Sequence, residues 1–160
     1  RQQTFTDKQT LCFFVFLYCF RHCQQSRLRE VQYPVPGHPR SRIDLLLSQG
    51  SAPDALVEVK NVTLLEGACL QFPDAVSERA LKHLDLLRAA VEQGIRGVIL
   101  FALNRPEGRC FSPARHIDPA YAARLEEVTG QGVEAYALRI RHTPDGMRGG
   151  GLVPVVIGGG

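Results

Sequence analysis

Arg42-Ile43-Asp44-Leu45-Leu46-Leu47 and, with thirteen residues intervening after Asp44, Glu58-Val59-Lys60 form the stretch whose reading decides the fold. Ser48 to Asp54, between them, holds Gly50, Ser51 and Pro53 and reads as a turn. The flanks, Arg42 to Leu47 and Ala55 to Leu65, then read as two strands of a hairpin. Side chains alternate across a strand, so Glu58 and Lys60 share one face while Val57 and Val59 take the other. An acid on the neighbouring strand, Asp44, can face that pair. Two carboxylates and one ammonium then meet at one spot on a sheet.

Two readings of that spot stand side by side. In one, it is a cross-strand ion pair on a half-exposed face, worth about 0.2–1 kcal/mol. In the other, two carboxylates hold a hard divalent cation such as Mg²⁺ or Mn²⁺, which keeps waters as its remaining ligands. Such a cation lowers the pKa of a bound water and offsets charge on a phosphate under attack. The lysine would then orient the water or stabilise the developing charge. Leu45, Leu47, Val57 and Val59 imply a covered face, beside which a carboxylate is expensive unless a cation pairs with it.

Outward from this pair the chain has the punctuation of an α/β domain. Leu28 to Val35 predicts a strand ended by Pro34 and Pro36. A helix is expected from about Pro73 to Gln93, with Ala80, Leu84, Leu87 and Val91 on one face and Gly94 as its stop. Gly97 to Leu103 is a continuous apolar run, the pattern of a buried central strand. Asp118-Pro119 gives an N-cap with proline at the first helical position, opening a helix that ends near Gly130. Val133 to Ile140 and a short Leu152 to Ile157 complete the strands, while the glycines at 149–151 and 158–160 read as a loop and a frayed end. The order β-β-β-α-β-α-β implies an α/β fold with a mixed sheet flanked by helices.

Residues 1–27 contain neither Gly nor Pro and are rich in Gln, Cys and Phe, which places a boundary before Leu28. Residues 1–29 carry a local charge of +4, so the net +3 of the chain leaves −1 for the rest. Any phosphate-binding surface must therefore be local. Five cysteines without a C-x-x-C pair argue against a disulfide framework and a ribbon-type zinc site, and reduced thiols in a cytoplasmic protein are expected. The apolar run Leu11 to Phe20 would span about 15 Å as a helix, half a bilayer core, so no membrane span is expected. Arg21 to Gln25, which follow it, do not make a signal-peptidase site.

Three further clusters bear on chemistry. Arg79, Lys82 and His83 are spaced i, i+3, i+4 and share a helix face, which suits phosphate contact or simply a solvated basic edge. His116 and Asp118 offer metal-ligating atoms, but Asp118 already serves as an N-cap. His22 with Cys19 and Cys23 is another candidate group, on a segment where packing is the plainer role.

The motifs Arg40-Ser-Arg-Ile-Asp44, Val57-Glu-Val-Lys-Asn-Val-Thr-Leu64, Phe72-Pro-Asp-Ala-Val-Ser-Glu-Arg79 with Lys82-His83-Leu84, and Phe111-Ser-Pro-Ala-Arg-His-Ile-Asp118 with Tyr121 are co-linear over residues 28–157. On these motifs the chain resembles the sugar fermentation stimulation protein family of bacteria and archaea. The resemblance implies a restriction-endonuclease-like domain of the PD-(D/E)xK type over 28–157, DNA as partner, and a nuclease or regulatory role in sugar metabolism. It further implies Asp44 and Glu58 as metal ligands, Lys60 as the catalytic lysine, and Arg79, Lys82 and His83 as contacts to nucleic-acid phosphate. Family members carry an OB-like lobe ahead of this domain and an acidic residue from a preceding helix. Residues 1–27 resemble neither, and Glu30 is the nearby acid. A fragment, or a gene with a mistaken start, is the expectation that follows. Three functions are thereby open: a divalent-dependent DNA phosphodiesterase, a non-catalytic DNA-binding regulator, and an inactive fragment of either.

Overall fold

The computed structural model describes residues 26–33, 42–48, 53–144 and 146–158, with 26–31 as backbone alone. β1 (Ser26–Gln32), β2 (Arg42–Ser48) and β3 (Ala55–Val62) pair antiparallel in succession. β3, β6 (Arg96–Leu103) and β8 (Glu134–Thr143) are mutually parallel, and β9 (Gly146–Val153) closes the edge antiparallel to β8. The main sheet therefore has six strands in the order β1-β2-β3-β6-β8-β9. A second sheet has three short strands, β4 (Leu64–Glu66), β5 (Cys69–Phe72) and β7 (Cys110–Pro113). Helices α1 (Glu78–Glu92) and α2 (Pro119–Gly130) are the crossovers that a parallel β3-β6-β8 arrangement needs.

Alternation along the strands divides the core in two. Leu46, Leu56, Val62, Ile99, Phe101, Leu103 and Ala137 face α1 and α2, and pack with Leu84, Leu87, Tyr121 and Leu125. Leu45, Leu47, Val57, Val59, Val98, Leu100, Leu138 and Ile140 form the opposite face, which is also buried. The second sheet lies on the helix side, where Phe111 stacks on Phe101 with ring centroids 3.6 Å apart. Gly97 lets α1 approach closely, because a Cβ there would lie 2.6 Å from the Leu87 carbonyl oxygen.

Helix starts are fixed by side chains. Ser77 caps α1, its Oγ accepting from the Ala80 N–H at 3.1 Å. Asp118 caps α2, its Oδ1 accepting from the Tyr121 N–H at 2.9 Å, as its Asp-Pro signature predicts. Its Oδ2 accepts the Ser77 N–H at 3.0 Å, so one buried carboxylate ties the starts of both helices. This tie explains why α1 begins at Glu78 and not near Pro73.

Other boundaries also differ from expectation. The expected strand Ala55 to Leu65 is broken at Thr63, because Leu64 leaves for the second sheet. The glycines at 149–151 are not a loop but part of β9, paired with β8 around a register shift between Leu138 and Ile140. Pro154 ends that ladder by lacking an N–H, and Val155 retains a single bridge to Phe111. β1 starts at Ser26, ahead of the expected boundary. Cys69 and Cys110, directly opposite in the β5–β7 pair, form a disulfide, which corrects the expectation of reduced thiols for these two. Opposed positions of adjacent strands are within bonding reach, a proximity that sequence spacing does not show. Cys12, Cys19, His22 and Cys23 lie outside the described residues, as do Arg40 and the side chain of Glu30. Among the described residues no helix is long and apolar enough to cross a membrane.

Candidate metal and nuclease-type site

Asp44 and Glu58 come from adjacent antiparallel strands, Asp44 one residue before Leu45 and Glu58 one residue after Val57, the pair at which the register ends. The ladder between β2 and β3 runs only over Leu45 to Leu47. Beyond it Asp44 Oδ2 accepts the Val59 N–H at 2.8 Å, a side chain standing where a strand carbonyl would otherwise serve. That contact ties β2 to β3 beside Glu58.

Glu58 is 1% exposed on the helix side of the sheet. Its Oε1 accepts from Lys60 Nζ at 2.6 Å and lies 2.5 Å from His83 Nδ1. A carboxylate oxygen only accepts, so this contact requires the proton on Nδ1. The 3.1 Å approach of Lys60 Nζ to the same nitrogen is then two donors crowding one oxygen. Burial pushes the Glu58 pKa up, but the His83 hydrogen bond and the Lys60 charge prevail and hold it at about 2. The carboxylate is therefore ionised although buried. Glu58 Oε2 is buried and has no hydrogen-bond partner among the described residues.

The three predicted basic residues of α1 separate. Arg79 and Lys82 are exposed, with Lys82 Nζ 3.9 Å from Glu78 Oε2. His83, one residue and about 100° further round the helix, turns inward to Glu58. Spacing put His83 beside Lys82 on the phosphate-facing edge, and only the docking of α1 against β3 decides for the interior. His116 reaches Glu66 at 3.1 Å in an exposed pair, away from Asp118, which is engaged as the double cap. Tyr121 is the residue whose environment sequence reasoning left undescribed. It is fully buried edge-on to Phe72, with ring centroids 5.3 Å apart, and its hydroxyl has no partner among the described residues. Burial, then the negative charges of Glu58 and Asp118, push its pKa well above the usual range.

No cluster of three or more His, Cys, Asp or Glu side chains suited to a metal occurs among the described residues. Asp44 and Glu58 supply two carboxylates, and the buried, unsatisfied Oε2 is an acceptor of the hard type that Mg²⁺, Mn²⁺ or Ca²⁺ takes. The donor set fits a cation that keeps several waters. It does not fit one that needs a complete protein cage.

The chain is similar to known proteins of one family. Residues 18–146 match the family described as sugar fermentation stimulation protein RE domain. The chain is 48% identical over 128 residues to a sugar fermentation stimulation protein homolog of Geobacter metallireducens, covering 80% of this chain and 53% of that protein. It is 46% identical over 117 residues to the homolog of Acidithiobacillus ferrooxidans, covering 72% and 50% respectively. The chain thus spans about half the length of the curated relatives it matches. Among solved structures, Pyrococcus furiosus SfsA in complex with Ca²⁺ superposes with a TM-score of 0.78 at 28% identity, covering 93% of this chain and 64% of that one. The fold is accordingly the restriction-endonuclease-like mixed sheet flanked by helices, and the chain belongs to the sugar fermentation stimulation protein family.

Proposed function

We propose that the chain is a DNA-binding protein with a divalent-metal-dependent nuclease-type site over residues 28–157, linked to regulation of sugar metabolism and working in the cytoplasm. The observation that supports it most is Glu58: ionised, buried, held through one oxygen by Lys60 and His83, and with no partner for the other among the described residues, on the strand beside that of Asp44. Asp44 and Glu58 would hold Mg²⁺ or Mn²⁺. When bound, such a cation makes a water acidic enough to attack and offsets phosphate charge. The Pyrococcus furiosus relative in complex with Ca²⁺ supports a hard divalent ion in this fold.

The chain's own residues have separable parts. Lys60, 11% exposed, lies at the rim, where Nζ can donate to a phosphate oxygen or an attacking water. His83 holds Glu58 Oε1 and so aims Oε2. Asp44 ties β2 to β3 by accepting the Val59 N–H. Arg79 and Lys82, exposed on α1, would contact phosphates at the approach to the site.

The experiment is cleavage of single-stranded, duplex and branched DNA by the purified chain with Mg²⁺ or Mn²⁺. Divalent-dependent cleavage lost in Asp44→Ala and Lys60→Ala is expected, and inactivity of the wild type on every substrate would sink the catalytic reading. One observation favours a non-catalytic DNA-binding regulator: Lys60 already balances the Glu58 charge. That reading expects salt-sensitive binding without cleavage.

A further inference from the structure

We propose that the β8–β9 hairpin is a second anion-binding surface, which takes the phosphates of a nucleic-acid strand lying across the Glu58–Lys60 site. The inference rests on the nucleic-acid reading of that site and adds the surface that orients the strand.

Arg88, Arg96, Arg105, Arg115 and Arg124 each pair with a carboxylate. Arg141 and Arg148 are exposed and pair with none among the described residues, although the register sets them directly opposite each other. Like charges at opposed positions of an antiparallel pair are destabilising. A sheet edge that carries them with no carboxylate partner among the described residues is matched to an anion from outside. Arg139 adds a third guanidinium. Its Nη2 donates to the Gly108 carbonyl at 2.7 Å, which anchors it at the inner end of the row. Its buried Nε has no acceptor among the described residues.

Glycine shapes the surface. A Cβ at Gly150 would lie 3.0 Å from Arg141 Cγ, 3.1 Å from Arg141 Nε and 3.2 Å from Arg139 Cγ. The bare backbone of β9 is a slot against which both arginine stems lie, with Arg148 beyond it. A β-branched side chain at 150 would press on both stems and shift them.

The row faces the same way as the site. Lys60 is in register with Phe101, and Phe101 with Ala137, whose side chains belong to the helix-side core. Arg139 and Arg141 alternate with Ala137 and share its face, whereas Leu138 and Ile140 point to the other. Two strand spacings and two to four residues of rise put these arginines about 12–17 Å from Lys60 along the backbone grid. That is roughly four to five nucleotide steps of one strand of a duplex.

The test is binding of the whole chain to a fluorescent duplex in EDTA, titrated from about 50 to 200 mM salt. Arg141→Gln with Arg148→Gln is expected to lower the slope of log affinity against log salt by about 1.8, one phosphate contact per arginine. The melting temperature of that variant should stay level or rise, because like charges have been removed. Gly150→Val should lower the slope without any change of charge. An unchanged slope in the double variant, or a wild-type chain that binds anionic lipid vesicles but no duplex, overturns the proposal. Cleavage with Mn²⁺ is scored separately. A chain that cleaves but keeps its slope loses the hairpin surface alone, and one that loses slope but never cleaves loses the nuclease reading alone.

Discussion

Replacing Lys60 by Met keeps an aliphatic stem of similar length and removes one of the two cationic or proton-donating groups on Glu58 Oε1. Removing one partner of a fully buried ion pair costs about 3–5 kcal/mol. His83 remains, so the expected loss at pH 7 is smaller, about 2–3 kcal/mol, or about 5–10 °C in melting temperature for a chain of this size. The sign of its pH dependence is the diagnostic part. Glu58 has a folded pKa of about 2 against an ordinary 4.5, so it contributes stability that is fully present above 4.5 and lost as pH falls towards 2. Without Lys60, burial is less opposed and the folded pKa rises, so the variant has little of that contribution to lose. The gap between wild type and Lys60→Met should therefore be largest above pH 5 and shrink steadily towards pH 2. Urea unfolding at pH 7, 5 and 3 with a constant m-value measures it. An equal gap at pH 7 and pH 3 would show that the stem's packing, not its charge, stabilises the site.

Saturating Mn²⁺, at about a hundred times its dissociation constant, should stabilise the chain by about 2.7 kcal/mol in thermal melts, and Asp44→Asn should abolish the shift while its amide oxygen still accepts the Val59 N–H. Asp118→Ala removes the acceptor for two N–H groups at two helix starts and should cost about 2–4 kcal/mol by chemical unfolding, more than a single cap. Cys110→Ser opens a loop of sequence separation 41 and should cost up to about 4 kcal/mol under oxidising conditions and nothing under full reduction; differential alkylation with mass analysis checks the pairing. Gly97→Ala forces α1 away from β6 and should lower stability by about 1–3 kcal/mol in urea unfolding, with Gly97→Leu worse than Gly97→Ala.

What the sequence made legible follows from which interactions are local. The apolar run in β6 and the Asp-Pro start of α2 are local signals, and both elements sit within a residue or two of where those signals put them. The antiparallel pairing of β2 with β3 was legible because a short stretch of turn-forming residues separates two apolar runs. The second sheet was not, because β4, β5 and β7 are only three or four residues each and β7 joins β5 by parallel pairing across 41 positions of sequence. The direction of His83 was hidden for a related reason. Residues i, i+3 and i+4 share a helix face, but that face spans both the buried stripe and its exposed border, and only docking against β3 separates Lys82 from His83. β9 was misread because glycines usually mark loops, whereas an edge strand tolerates them where another chain segment needs room, here the stems of Arg139 and Arg141.

The choice between a structural ion pair and a metal centre turns on the unused half of Glu58. Burying a carboxylate with a lysine is no gain over apolar side chains of similar volume, and the neighbours Leu46, Leu56 and Val62 show that this face is built to take them. A carboxylate kept for stability alone would have both oxygens satisfied, since each buried acceptor left alone costs about 1–3 kcal/mol. Here Lys60 and His83 both converge on Oε1, and the Tyr121 hydroxyl, close enough for the Glu58 charge to raise its pKa, does not bond Oε2 either. Two donors crowd one oxygen while the other is buried with no partner among the described residues. That asymmetry favours the proposed metal centre over a structural ion pair, because it leaves Oε2 available to a cation while Lys60 and His83 fix the charge from behind.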